Sequence, residues 1–230
     1  MLILAATSSG VELFFGLVER GITLGAMYAL VALGYTLVYG IIELINFAHG
    51  DVFMWSTVVI LLVAQTLGFD HTYTGLSLIG VLLLLIVIGA LTSAIINVVA
   101  ERIAYRPLRR APRLAPLIAA IGVSFILEKL AELKIGPGDL LFPPIFPTGG
   151  ISIGPVQIAY LDIFIILSAV ALMYGLDRFI QKTRLGRAMR ATAQDPEAAS
   201  LMGVNINRTI AITFLIGGGL AGAAGLFYVM

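Results

Sequence analysis

Residues 71–100 read HTYTGLSLIGVLLLLIVIGALTSAIINVVA, a run with no Asp, Glu, Lys or Arg. A bilayer is crossed by roughly 20 residues of apolar helix, so this run is long enough to span with some tilt. The pattern repeats on both sides of it. Val52 to Phe69 is uncharged between Asp51 and Asp70, and Gly21 to Ile42 between Arg20 and Glu43. Downstream, an apolar run from Ala115 to Leu127 continues to Lys134, and Glu128, Lys129 and Glu132 are expected at a membrane surface because ionised groups are costly at mid-bilayer. Further runs lie near Ala159–Phe179 and Thr209–Met230. The predicted fold is all-α, a polytopic transmembrane helical bundle forming one domain over 1–230. Its spans are expected at 13–42, 52–69, 74–100, 115–134, 159–179 and 209–230. Composition agrees: 60% of the 230 residues are hydrophobic and 12% charged, where a soluble domain carries about 25% charged residues.

Leu140 to Leu161 is also uncharged, yet Pro143, Pro144, Pro147, Gly149, Gly150, Gly154 and Pro155 break any helix there. That stretch reads as an ordered loop outside the membrane. Of 14 Lys and Arg, five lie in Glu101–Arg113 and six in Arg178–Arg208. The positive-inside rule makes both segments cytoplasmic. Counting back places the turn at Asp70–Tyr73 outside, the turn at Glu43–Asp51 inside and the N-terminus outside. Met1 to Gly10 carries no Lys or Arg and so lacks the charged region of a secretory signal, which counts against a cleaved leader over Met1–Leu17. Met230 closes an apolar run without a polar tail, as a C-terminally truncated chain would.

The net charge of +1 gives no global basic field for nucleic acid. With no cysteine and two histidines there are no disulfides, no thiolate metal sites and little to build a metal centre from. No phosphate-binding GxxxxGK[ST] loop, HExxH, GxSxG or paired-carboxylate constellation occurs, so neither ATP binding nor membrane-enzyme chemistry is expected in this chain.

Asp195-Pro196-Glu197-Ala198-Ala199-Ser200-Leu201-Met202-Gly203 has the punctuation of a very short helix. Asp195 suits the N-cap, Pro196 the first helical position and Glu197 the positive end of the helix dipole. Gly203 suits the left-handed position after the end. About two turns of helix are too few to stand alone. The segment must dock, on a partner or on its own domain. Ala198, Ala199, Leu201 and Met202 offer small and adaptable apolar contacts, and Arg184, Arg187 and Arg190 precede them.

Glu197-Ala198-Ala199, three residues and Gly203 resemble the EAA-x-x-x-G signature of ABC importer permeases. The string Gly186-Arg187-Ala188-Met189-Arg190-Ala191 through Met202-Gly203-Val204-Asn205 is similar to the branched-chain amino acid permease family in particular. So are Tyr28-Ala29-Leu30, Tyr39-Gly40, the run from Ile45 through Asn46-Phe47-Ala48-His49-Gly50 to Asp51, and Glu101-Arg102-Ile103-Ala104-Tyr105-Arg106-Pro107-Leu108. The matches stretch from about Gly21 to Gly225. The resemblance implies a multi-pass permease of the bacterial inner membrane, with further spans beyond Met230. It implies that residues 195–203, with Arg190, are the coupling helix seated in a cytoplasmic ATPase. It also implies a second permease subunit, two ATPase subunits that bind ATP and magnesium, and an external substrate-binding protein. Leucine, isoleucine and valine are the implied cargo, with urea, short amides or other amino acids as the alternative. A stand-alone channel or ion-coupled transporter would need intramembrane carboxylates, and the spans are almost free of them.

Two features keep alternative readings. Asn46, Phe47, His49, Gly50 and Asp51 lie between two apolar runs: either they break the helix at a substrate path, or they form a cytoplasmic turn with Asn46 and Asp51 as caps and Gly50 as a hinge. Gly21 and Gly25, and the cluster with Gly218, Gly222 and Gly225, have the spacing of close helix packing or, alternatively, of an apolar lining.

Overall fold

The computed structural model describes residues 10–43, 45–109, 111–112, 114–136, 141–153 and 156–230. In chain order the elements are α1 (Gly10–Ile42), α2 (His49–Thr66), α3 (Gly75–Ala100), α4 (Leu114–Ile135), the strands β1 (Gly150–Ile153) and β2 (Val156–Ala159), α5 (Tyr160–Lys182), α6 (Arg184–Gln194), α7 (Pro196–Leu201) and α8 (Ile206–Val229). Six of them, α1 to α5 and α8, are long and apolar enough to cross a membrane, as the uncharged runs predicted. The chain is an all-α polytopic bundle. Of the expected readings, the part of Met1–Leu17 before Gly10, the loop start at Leu140, and Arg110, Arg113, Gly154 and Pro155 lie outside the described residues.

Boundaries shift where polar residues enter a helix. α2 begins at His49 rather than at Val52, with Asp51 in its first turn, where negative charge is favoured by the dipole. α3 does not stop at Ala100. It continues through a π-helical turn at Glu101–Tyr105 and a 3₁₀ turn at Arg106–Leu108. Between α1 and α2, Glu43 takes φ 52°, the left-handed region usually left to glycine, at a cost of roughly 1–2 kcal/mol.

Helix α8 is the axis of the bundle. Buried residues make up 72% of its membrane window, against 17–39% for the other five. It packs on α1, α2 and α3, and its glycines make the approach possible. A Cβ on Gly217 would sit 2.7 Å from the Gly34 carbonyl oxygen in α1, and one on Gly218 2.6 Å from the Ser93 carbonyl oxygen in α3. Cβ atoms on Gly222 and Gly225 would overlap the Gly89 carbonyl of α3 and the Ser56 hydroxyl of α2. In lipid, where helices gain no hydrophobic drive from meeting, such contact replaces it. Gly218, Gly222 and Gly225, expected either to pack helices closely or to line an apolar path, lie at these close approaches. Gly21 and Gly25 differ: among the described residues open space lies over both.

Peripheral helices are tied on at particular points. The Trp55 indole Nε1 in α2 donates to the Leu127 carbonyl in α4 at 3.0 Å, and Ser124 of α4 donates to Asp51. α5 joins α1 and α8 through Met27, Leu30, Ile165, Ala169, Leu176, Ala224 and Phe227.

The two ends of the bundle separate as charge counting predicted. At one end lie the α1–α2 break, the turn at 101–108, α6 and α7; this is the basic end. At the other lie the α2–α3 turn and residues 141–159. There Tyr73 N–H donates to the Ile145 carbonyl at 2.9 Å. Residues 141–149 are an ordered loop, but β1 and β2 pair as an antiparallel hairpin with Ile151 opposite Ile158. The alternation Ile151-Ser152-Ile153 and Val156-Gln157-Ile158 signals that hairpin in the sequence.

Candidate functional site

Thr183 turns the chain from the membrane into the basic-end segment. Its hydroxyl donates to the Phe179 carbonyl and accepts from Gly186 N–H at 2.9 Å, so one side chain ends α5 and caps α6. Gly186 lies against the Ile180 backbone with no room for a Cβ. Arg190 donates to the Ile180 carbonyl, folding α6 back on the end of α5. Gly186, Met189 and Thr192 are buried along one stripe, while Arg184, Arg187 and Arg190 are exposed. That is the pattern of a helix lying on a surface.

α7 forms as the capping residues required. Asp195 Oδ1 accepts from the N–H groups of Glu197 at 2.9 Å and Ala198 at 3.0 Å, and Pro196 is the first helical residue. At the far end Gly203 takes φ 84°, and Val204 N–H reaches back to the Ala199 carbonyl at 3.0 Å. Ala199 alone in this helix is buried. Glu197 and Ala198 are exposed, and Leu201 and Met202 stand out from the bundle at 87% and 85% exposure. Covering such side chains is worth about 1.5–3 kcal/mol each. Chemically the segment can offer a short, rigid, apolar-tipped helix beside three guanidinium groups.

Asn46 and Phe47 lie in the break between α1 and α2 at the basic end, and His49, Gly50 and Asp51 form the first turn of α2. Ala48 is the N-cap of α2, and it makes no side-chain capping bond. Asn46 is buried and spends its amide on long-range partners: its Nδ2 donates to Asn97 Oδ1 at 3.2 Å and its Oδ1 accepts from the Tyr105 hydroxyl at 2.7 Å. Asn97 Nδ2 donates in turn to the Phe214 carbonyl in α8 at 2.7 Å. His49 is buried beside the edge of Tyr35, with ring centroids 5.9 Å apart. Among the described residues its ring nitrogens make no hydrogen bond of ordinary geometry, and the Val31 backbone is the polar group they approach. Phe47 and Gly50 are exposed.

Sequence reasoning missed the cluster that joins these parts. The Glu101 carboxylate is fully buried. Arg106 grips it with two nitrogens, Nε at 3.1 Å and Nη2 at 3.0 Å, and Arg109 Nη2 closes the other side. Arg109 Nη1 also donates to Asn207 Oδ1, in the first turn of α8, at 2.7 Å. Burial pulls the Arg109 guanidinium below its ordinary pKa, partly offset by the Glu101 charge. The acid–base spacing of five and eight residues was visible; that Glu101 turned inward was not.

Comparison with known proteins identifies the whole arrangement. A model of the family described as branched-chain amino acid transport system / permease component matches residues 17–230. A high-affinity branched-chain amino acid transport system permease protein of Pseudomonas aeruginosa, BraD, is 40% identical over 214 residues, covering 89% of this chain and 67% of that protein. The corresponding LivH permease of Escherichia coli K12 is 39% identical over 214 residues, covering 90% and 68%. A probable branched-chain amino acid transport permease of Methanocaldococcus jannaschii is 26% identical over 210 residues, covering 91% and 64%. No solved structure matches the chain. With a helical bundle able to cross the membrane six times and a family match over nearly its whole length, the chain belongs to the permease components of branched-chain amino acid transport systems.

Proposed function

We propose that this permease translocates leucine, isoleucine and valine across the bacterial inner membrane as part of an ATP-driven importer, with its basic end in the cytoplasm and its N-terminus outside. The observation that carries the reading is α7: a capped helix of six residues with Leu201 and Met202 exposed and uncovered, at the end of the molecule that carries the arginines. A two-turn helix gains its stability from what it docks on, and an ATPase cleft is the partner that the EAA-x-x-x-G resemblance implies. Arg190 sets its approach by bracing α6 on α5.

Two permease subunits enclose the path, and two ATPase subunits, which hold the ATP and magnesium, press on the α7 segments. An external binding protein delivers substrate to the end bearing the hairpin. Closure of the ATPases shifts the pore between inward and outward states, and the permease makes and breaks no covalent bond. The relatives' names and the apolar spans support aliphatic amino acids over urea or short amides. The turn at Asn46–Asp51 is the proposed break beside the path, where buried polar groups meet the bundle axis.

Glu197→Arg places a cation at the exposed start of α7 without touching a span. It is expected to abolish co-purification with the ATPase while membrane insertion persists; normal uptake by this variant would overturn the coupling assignment. Competition of labelled leucine uptake by valine and isoleucine, but not by urea or acetamide, is the expected substrate profile.

A further inference from the structure

The segment after α7 enters α8 within a few residues. Asn205 caps that helix by accepting from Arg208 N–H at 3.0 Å, and Asn207 then meets Arg109. Arg109 therefore touches two elements at once. One nitrogen holds the first turn of α8, and the other holds Glu101, where the π-helical turn begins. The same turn carries Tyr105, whose hydroxyl reaches Asn46 at the α1–α2 break. A π-turn inside a helix is a widened, locally adjustable turn that recurs at functional sites. The contacts are thus continuous from the residues behind α7 to the break between α1 and α2.

We propose that Arg109 is a positioning residue for transport, carrying displacement of the α7 segment through Asn207 into Glu101 and the π-turn. This inference rests on the reading of α7 as the ATPase contact and adds the side chain that transmits its movement. The planar guanidinium suits the task because its separate nitrogens bridge two acceptors in fixed geometry, which an ammonium on a flexible stem does not do. Glu101 does not depend on Arg109 for neutrality, since Arg106 grips the same carboxylate with two nitrogens. Transmission can therefore be removed while the buried charge stays paired.

The experiment uses the complete permease assembled with its ATPase and binding protein in proteoliposomes, reading substrate imported per ATP hydrolysed. Arg109→Lys and Asn207→Ala are each expected to assemble and to hydrolyse ATP as the parent does. Both are expected to import about tenfold less per ATP, within the usual range for coupling between sites. The double variant is expected to fall no further than either single one, because both remove one link. Asn207→Asp keeps the acceptor and is expected to retain parental coupling. A parental ratio in Arg109→Lys, or a loss that only follows assembly and thermal stability, overturns the inference alone. A parent that recruits no ATPase overturns the α7 reading beneath it as well.

Discussion

The basic end and the hairpin end of this bundle are held by different physics. At the basic end, directional polar contacts dominate: a fully buried carboxylate gripped by two arginines, and an asparagine pair joined to a tyrosine and to the α8 backbone. At the hairpin end an apolar plug does the work. Ile145 drops from the Pro/Gly loop onto Ile60, Ala64, Val81, Leu82, Leu85 and Leu226. The hydrogen-bonded pair there, His71 with Asp70, is mostly in solvent, at 64% and 85% side-chain exposure. Buried polar contacts fix one geometry and penalise every other, whereas an apolar plug tolerates sliding. The difference suits the proposed roles, an end that transmits movement from an ATPase and an end that receives a binding protein.

The comparison breaks first at Glu101. Replacing both Arg106 and Arg109 by Ala leaves its carboxylate buried with no cation. The expected loss is about 3–5 kcal/mol, measured as a fall in thermal midpoint of the detergent-solubilised protein. Parental stability in that variant would mean the cluster does not hold the basic end. At the other end Ile145→Ala opens a cavity under the loop, with an expected loss of about 2–4 kcal/mol by the same measurement. No loss would mean the plug is passive.

The smallest effect is expected at Asp70. The hydrogen bond from His71 holds its carboxyl below the usual carboxylate value. A depressed pKa stabilises the fold above the ordinary value, and that contribution disappears as pH falls through the depressed one. Because the pair is exposed, solvent screens it. Asp70→Asn should therefore melt with the parent across neutral pH, with any small parental advantage vanishing on acidification. A large neutral-pH loss would place real load on this pair.

Local signals were legible and distant ones were not. The Asp195 cap, Pro196 and Gly203 all lie within nine consecutive residues, so capping rules alone drew α7. Uncharged runs drew the six spans because a bilayer imposes length and apolarity together. The polar core joins Asn46 to Asn97, Tyr105 to Asn46 and Asn97 to Phe214, across 51, 59 and 117 residues. Helices apolar on all sides show no face, so nothing in the spans said which side would turn inward. For the same reason one glycine spacing falls at close helix approaches, at Gly218, Gly222 and Gly225, and the other, at Gly21 and Gly25, at open space among the described residues. The hairpin was legible in its alternation, but proline and glycine density outweighed it.

The central claim is that α7 is the surface an ATPase covers, and the absence of cysteine from this sequence allows a direct measurement. Met202→Cys puts a single thiol on the exposed tip of α7, and Gln157→Cys puts one on the hairpin as control. Both are reacted with a membrane-impermeant maleimide in inside-out vesicles, with and without the ATPase. The account predicts that Met202→Cys labels readily alone and is protected when the ATPase is bound, while Gln157→Cys is not labelled in either case. Equal labelling of Met202→Cys with and without the bound ATPase would contradict it.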